Sequence, residues 1–243
     1  MKLKYLIYYS GSINLLVIVI KISGVVMLEN TKPENQLDTH SVSARRRGRP
    51  KCFDEKQALE KAMFLFWQYG YEATSISDLT HALGITAPSL YSTFGDKVGL
   101  FEKCLNHYLE NEACPIDEIF KYSQSTKIAI ELYLFENVKR LIQDNKPTGC
   151  MLVVSTMNCS VTNHQIQTEL LNQRLATKNK IFDRLQLGMQ QGELTENTDI
   201  QAMTDFYTTL LQGMTIQARD GATLEQLENV VKMAMKNWDH FLT

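Results

Sequence analysis

Residues 70–101, GYEATSISDLTHALGITAPSLYSTFGDKVGLF, constrain the fold more than any other stretch of this chain. Ser75 is placed to cap a short helix, and Asp78 at the third helical position favours the positive end of that helix. Ile76, Leu79 and Leu83 form its apolar stripe, and Gly84 stops it, because glycine takes a left-handed conformation at low cost. Thr86 caps a second helix. Pro88 falls in its first turn, where a missing amide proton costs nothing. Leu90 and Phe94 lie four residues apart and face inward together. Gly95 closes this helix and Asp96 caps a third. Two short helices, a tight turn and a third helix directly after form the layout of a helix-turn-helix. Ser89, Tyr91, Ser92 and Thr93 lie off the inward face, where DNA can meet them.

A further helix is expected upstream. Asp54 and Gln57 are spaced for a capping box. Leu59, Ala62, Phe66 and Tyr69 recur at helical intervals, and Gly70 is expected to end the helix. With Phe66, Gly70, Tyr71, Thr74, Ser75, Asp78, Ala82, Gly84, Ile85, Leu90, Tyr91, Phe94, Lys97 and Leu100 in place, residues 45–101 resemble the DNA-binding domain of the TetR/AcrR family of bacterial one-component regulators. The resemblance implies an all-α protein: an N-terminal three-helix helix-turn-helix domain, then a C-terminal helical bundle for ligand binding and dimerisation. It implies a repressor that binds a palindromic double-stranded operator as a homodimer and is released by a small-molecule inducer, which it does not name. By the same resemblance Tyr91 and Lys97 contact phosphates, and Thr74 and Ser75 sit where the family binds backbone phosphate. Thr86, Ala87, Pro88, Ser89 and Ser92 occupy the face that reads base edges. That set lacks Arg, Asn and Gln, the residues that make bidentate base contacts, so readout per contact is expected to be weak. More of the work then falls to DNA shape and to flanking contacts.

Formal net charge is −2, so any DNA-binding role needs a local basic patch. RRRGRPK supplies one: Arg45, Arg46, Arg47, Arg49 and Lys51 directly precede the first domain helix. A charge run is ordinarily a solvated tail. Before a helix-turn-helix it is placed to reach the adjacent minor groove. Arg47-Gly48-Arg49-Pro50 also resembles an AT-hook, which lies in narrow A·T-rich grooves. Deleting residues 45–51 is expected to weaken DNA binding and to flatten its salt dependence, by about one unit of logarithmic slope for each arm residue that meets a phosphate. A titration across salt concentrations in which the slope stays put would exclude the contact.

The chain has 243 residues, 44% of them hydrophobic and 21% charged, a globular composition with room for one small and one larger domain. The expected division is an extension over 1–44, the DNA-binding domain over 45–101 and a ligand-binding and dimerisation domain over 102–243. The first 27 residues fit no part of this scheme. Their apolar run from Ile13 to Val26 is interrupted by Asn14, Lys21 and Ser23, and falls short of the ~18 apolar residues of a membrane span. A lysine near mid-span costs about 2.5–3.5 kcal/mol on insertion scales. The preferred explanation is a true start at Met27, with a membrane-tethered regulator as the minority reading. No membrane partner is therefore expected. Five cysteines without paired spacing point to a reducing cytoplasm rather than a disulfide scaffold. No phosphate loop, CxxC or HExxH is present, so neither an enzyme, nor a cofactor, nor a bound metal is expected.

Beyond Asp96 the pattern stays helical, with helices expected near 97–113, 126–145, 149–160, 163–191, 199–219 and 223–242. Leu224, Leu227, Val231, Ala234, Trp238 and Phe241 form a heptad-like stripe on the last helix. Met203, Tyr207, Leu210 and Met214 do the same on the one before. By resemblance, Met203, Tyr207, Leu210, Met214, Leu227, Val231, Ala234 and Trp238 are the dimer interface, though each stripe also serves the core of its own chain. Two-fold symmetry would match a palindrome.

The ligand site is less legible. GCMLVVSTMNCS, residues 149–160, opens with a Gly-Cys pair found in the quinone, aldehyde and metal responders of the family. A thiol near a helix N-terminus is a candidate for reactivity, so Cys150 is the ligand or redox candidate, with Met157 on the same face. An inert buried cysteine is the commoner outcome. Cys150 and Cys159 fall on opposite helix faces, and a soft-metal site lacks a third ligand. Cys104 and His107 share helical spacing, but Cys104 continues the apolar stripe of Leu100, Phe101 and Tyr108 and is expected in the core. The alternative function is a thiol or metal redox-sensing regulator acting through Cys150.

Overall fold

The computed structural model describes residues 54–155 and 163–242, which are helical with no strand among them. The expectations for the basic arm (Arg45, Arg46, Arg47, Arg49, Lys51), for the Met27 start and for Met157 and Cys159 lie outside the described residues.

Helix α1 (Glu55–Ala73) opens at Asp54, whose carboxylate accepts the amides of Lys56 and Gln57. Its inward face is Ala58, Ala62, Met63, Phe66 and Trp67. Tyr69, expected on that face, is 59% exposed. The apolar row passes from Met63 to Trp67 instead, four residues on. Gly70 breaks the helical path with φ 82° and ψ 170°, and a short further turn carries the chain to Ala73. Helix α2 (Ile76–Leu83) begins with a reciprocal capping box between Ser75 and Asp78 and ends at Gly84 in the left-handed region. Helix α3 (Ala87–Phe94) is capped by Thr86, carries Pro88 in its first turn and buries Leu90 and Phe94. Helix α4 (Lys97–Asn111) is capped by Asp96 and buries Leu100, Phe101, Cys104, Leu105 and Tyr108.

The region beyond departs from expectation in three places. Helix α5 (Ile116–Tyr122) follows Pro115, where sequence alone suggests only a break. With seven residues it is too short to show a clear apolar period. Helix α6 (Thr126–Leu141) stops before the expected 145, and Asn145 takes a positive φ of 64°. The expected helix over 223–242 is α10 (Leu224–Lys236) followed by a 3-10 turn, Trp238–Leu242. Between them lie α7 (Met151–Val154), α8 (His164–Gln190) and α9 (Ile200–Arg219).

Two apolar cores hold these helices. The first gathers Phe66, Trp67, Tyr71, Leu79, Leu90, Phe94 and Phe101, and also takes Met151, Leu152, Ile166 and Leu170 from α7 and α8. The Phe101 ring stands edge-on to Phe66 at 5.1 Å and to Tyr71 at 5.2 Å, the geometry that aromatic quadrupoles favour. The helix-turn-helix is therefore keyed into the next helices by shared packing, and residue 101 falls inside α4 rather than at a joint. The second core lies among α5, α6, α8, α9 and α10.

That second core takes in the residues expected at the interface. Met203, Tyr207, Met214, Leu227, Val231, Ala234 and Trp238 are all buried within the chain itself, and Leu210 is partly buried. Their stripes face α6 and α8, because one regular apolar stripe per helix is what a bundle core consumes first. The apolar groups left outside are Phe206, Leu224, Val230 and Met233.

Candidate nucleic-acid interface and interior cavity

The α3 surface presents Thr86, Pro88, Ser89, Tyr91 and Ser92 to solvent, with Ala87 half-buried. Tyr91 is 45% exposed while its neighbour Leu90 is buried, so Leu90 fills the core and the Tyr91 phenol points outward. The hydroxyls on this face are locally engaged. Thr86 and Ser89 oxygens pair at 3.0 Å, and the Ser92 hydroxyl donates to the Ser89 carbonyl at 3.0 Å. A base edge must compete with these short-range bonds. The Lys97 ammonium lies 4.2 Å from the centre of the Tyr71 ring, a cation–π contact that fixes it at the start of α4.

Thr74 and Ser75, expected near a backbone phosphate, stand at the start of α2 and are engaged locally. Thr74 is 1% exposed, and its hydroxyl donates to the Gly70 carbonyl at 2.7 Å. The Ser75 hydroxyl donates to Asp78 at 2.6 Å, and its amide donates to the same carboxylate at 2.8 Å. Those bonds hold the Asp78 carboxyl below its ordinary value, so it stays an anion where a phosphate was expected. The same residues that start α2 so well are spent on starting it.

A cavity of about 520 Å³ lies between α4, α5, α6, α8 and α9. Its wall includes Tyr108, Cys114, Tyr133, Arg140, Cys150 and Arg174. Cys150 is the residue before α7, and the Tyr108 hydroxyl lies 3.5 Å from its sulfur. Burial first, and the neighbouring Cys150 next, push the Tyr108 phenol well above its ordinary value, so it remains a donor. Burial pushes the Cys114 thiol up to about 12 against the opposing Arg140 guanidinium. Burial pulls Arg174 down, with Cys150 acting the other way. Arg140 is tethered by donating to the Glu112 carbonyl at 3.1 Å, and Arg174 donates to the Leu152 carbonyl at 3.1 Å.

The cavity wall is bonded directly to the helix-turn-helix. The indole of Trp67 donates to the Gly149 carbonyl at 2.7 Å, a buried bond between α1 and the turn that carries Cys150. The Trp67 ring stands edge-on to Tyr108 at 4.9 Å. Arg219 at the end of α9 donates to the Gln68 carbonyl at 3.2 Å. Gly149 itself has φ 91°, and a Cβ there would lie 3.1 Å from the Thr215 methyl, so only glycine fits without strain. Sequence reasoning misses Trp67 and Cys114. The first carries a signal, the i,i+4 step from Met63; the second stands beside a proline, where the sequence reads as a break.

Cys104 is fully buried as expected, 3.6 Å from the Leu59 carbonyl and away from the cavity wall. Among the described residues no group of three His, Cys, Asp or Glu is arranged to hold a metal ion. Among the same residues no helix is long and apolar enough to cross a membrane.

Residues 58–104 match the profile of bacterial regulatory proteins of the tetR family. The chain is 34% identical over 193 residues to the HTH-type transcriptional repressor ComR of Escherichia coli K12, covering 79% of this chain and 92% of ComR. It is 32% identical over 187 residues to the repressor BdcR of the same organism, covering 77% of this chain and 90% of BdcR. Its fold superposes with a TM-score of 0.74 on the TetR family regulator CifR, a cysteine mutant solved in complex with 26-base-pair double-strand operator DNA. That match is 34% identical and covers 78% of this chain and 100% of CifR. With a helix-turn-helix head keyed onto a helical bundle, and relatives matched along nearly their whole length, the chain belongs to the tetR family of bacterial regulatory proteins.

Proposed function

We propose that this protein is a ligand-responsive transcriptional repressor that binds a palindromic DNA operator as a homodimer. The observation that carries this reading is the joint between cavity and head: Trp67 of α1 donates to the carbonyl of Gly149, next to the cavity residue Cys150. A ligand that reshapes the cavity wall moves the turn to which the head is bonded. Operator and inducer then weaken each other's binding by the same factor. The outward face of α3, with Tyr91 and the Lys97 ammonium, is the surface proposed to meet DNA, supplemented by the basic arm. The names and complex of its relatives support this: ComR and BdcR are repressors, and CifR was solved on operator DNA. A reader of bacterial genomic DNA works in the cytoplasm.

Selection of random DNA duplexes by the purified full chain, followed by sequencing, tests the proposal. Enrichment of one palindrome is the expected result. Binding that persists without any enriched sequence, and falls steeply with salt, would instead mean a backbone-driven architectural protein.

A second reading has its own observation. The Cys150 sulfur faces the cavity beside the Tyr108 hydroxyl, which makes chemistry at that sulfur, rather than reversible occupancy, the alternative inducing event.

A further inference from the structure

The cavity contains not one thiol but two. Cys114 comes from the segment after α4 and Cys150 from the turn before α7, and both line the same cavity. Tyr108 ties the two segments together. Its hydroxyl meets the Cys150 sulfur at 3.5 Å and accepts the Met151 amide at 3.4 Å. Its carbonyl accepts the amides of Glu112 at 2.8 Å and Ala113 at 2.9 Å, folding the end of α4 back so that Cys114 follows at once. Each sulfur also has a guanidinium nearby, Arg140 for Cys114 and Arg174 for Cys150. Cys104, the other cysteine among the described residues, faces the other core.

We propose that Cys114 and Cys150 form a reversible disulfide across the cavity when the protein meets a peroxide. The inference deepens the thiol reading above, and depends on it only for the consequence at DNA. The Cys150 sulfur attacks one oxygen of hydrogen peroxide. The O–O bond breaks, and the products are a sulfenic acid and one water. The Cys114 sulfur then attacks the Cys150 sulfur. The S–O bond breaks, the S–S bond forms, and the departing hydroxide leaves with the Cys114 proton as a second water. Two thiols and one peroxide give one disulfide and two waters, the sulfur pair losing two electrons. Cys114 acts second because its surroundings hold its proton on the sulfur. The arginines stabilise whichever sulfur bears charge during exchange. A disulfide holds its Cα atoms within roughly 4.4–6.8 Å, so the end of α4 becomes locked to the Gly149–Cys150 turn, the element that holds Trp67.

The test uses the full chain with Cys52→Ser, Cys104→Ala and Cys159→Ser, leaving only this pair, treated with equimolar hydrogen peroxide. Intact mass should fall by two hydrogens and return on reduction. The further Cys114→Ser variant should instead gain one oxygen, trapped by dimedone, and Cys150→Ser should not react. Gain of oxygen by the parent without loss of hydrogens, a disulfide between two chains, or two thiols that stay alkylatable would each overturn the proposal. Fragmentation of disulfide-linked peptides from the oxidised wild-type chain gives the same readout with no replacement. None of these readouts involves DNA, so they stand or fall apart from the repressor reading. Operator affinity of the oxidised form then reads the coupling.

Discussion

The double variant Val230→Glu, Met233→Glu is expected to leave a folded monomer that binds the operator about 100- to 10,000-fold more weakly than the parent. The range is the gain that joining two binding heads confers without any new contact. Met233 is 58% exposed, and Val230 and Phe206 lie beside it in a shallow apolar groove between α9 and α10 that Leu210 and Ala234 complete. Two such faces brought together about a two-fold axis would bury each other, and one palindrome would meet two heads. Glutamates on both faces place like charges opposite one another in a desolvated contact, where neither finds a partner. Because both side chains point away from the chain's own core, helix content and thermal stability should stay near those of the parent. Sedimentation at micromolar concentration and operator titration read the two outcomes together. A variant that remains a dimer, or a monomer that keeps full affinity, would put the interface elsewhere.

That face also shows where sequence reasoning reaches its limit. The stripes on the last two helices are legible as stripes, and each residue in them is apolar for a reason. Periodicity, however, reports that a face is buried and not against what. Val231 and Trp238 pack against their own chain, while the partner-facing candidates Val230 and Met233 sit beside them in sequence, interleaved with Lys232 and Glu228. The head is far more readable. Ser75, Gly84, Thr86, Pro88 and Asp96 each meet a local stereochemical demand at a helix end, and such demands do not depend on tertiary partners. At Thr74 and Ser75, expected near a phosphate, the side-chain hydroxyls are satisfied within a few residues of sequence. Cavity and joint are the least legible. Cys114 and Cys150, or Trp67 and Gly149, are brought together only by the packing of α1, α4 and the turn before α7, and no short window along the chain contains both partners.

Trp67→Phe is expected to lower stability by about 1–3 kcal/mol while preserving the fold, since an aromatic ring is kept and the main loss is the donor to a buried carbonyl. Trp67→Ala should cost more, about 3–5 kcal/mol, because it also removes the aromatic packing against Tyr108 and Phe64. The difference separates the hydrogen bond from the ring. Chemical denaturation gives both values. The larger consequence concerns coupling. Alkylation of Cys150 with iodoacetamide, in the chain with Cys52, Cys104, Cys114 and Cys159 replaced, fills cavity space beside Tyr108. If the turn transmits that change to α1, the ratio of operator affinities before and after alkylation is large in the chain that keeps Trp67 and shrinks toward one when Trp67→Phe is added. Coupling is a property of the two-state element, not of either site, so Trp67→Phe should change this ratio more than it changes the affinity of the unmodified protein. An equal ratio in both chains would mean that the head is moved through α4 alone. A ratio of one in the parent would mean that the Cys150 thiol has no bearing on DNA binding, and would leave reversible occupancy of the cavity as the inducing event.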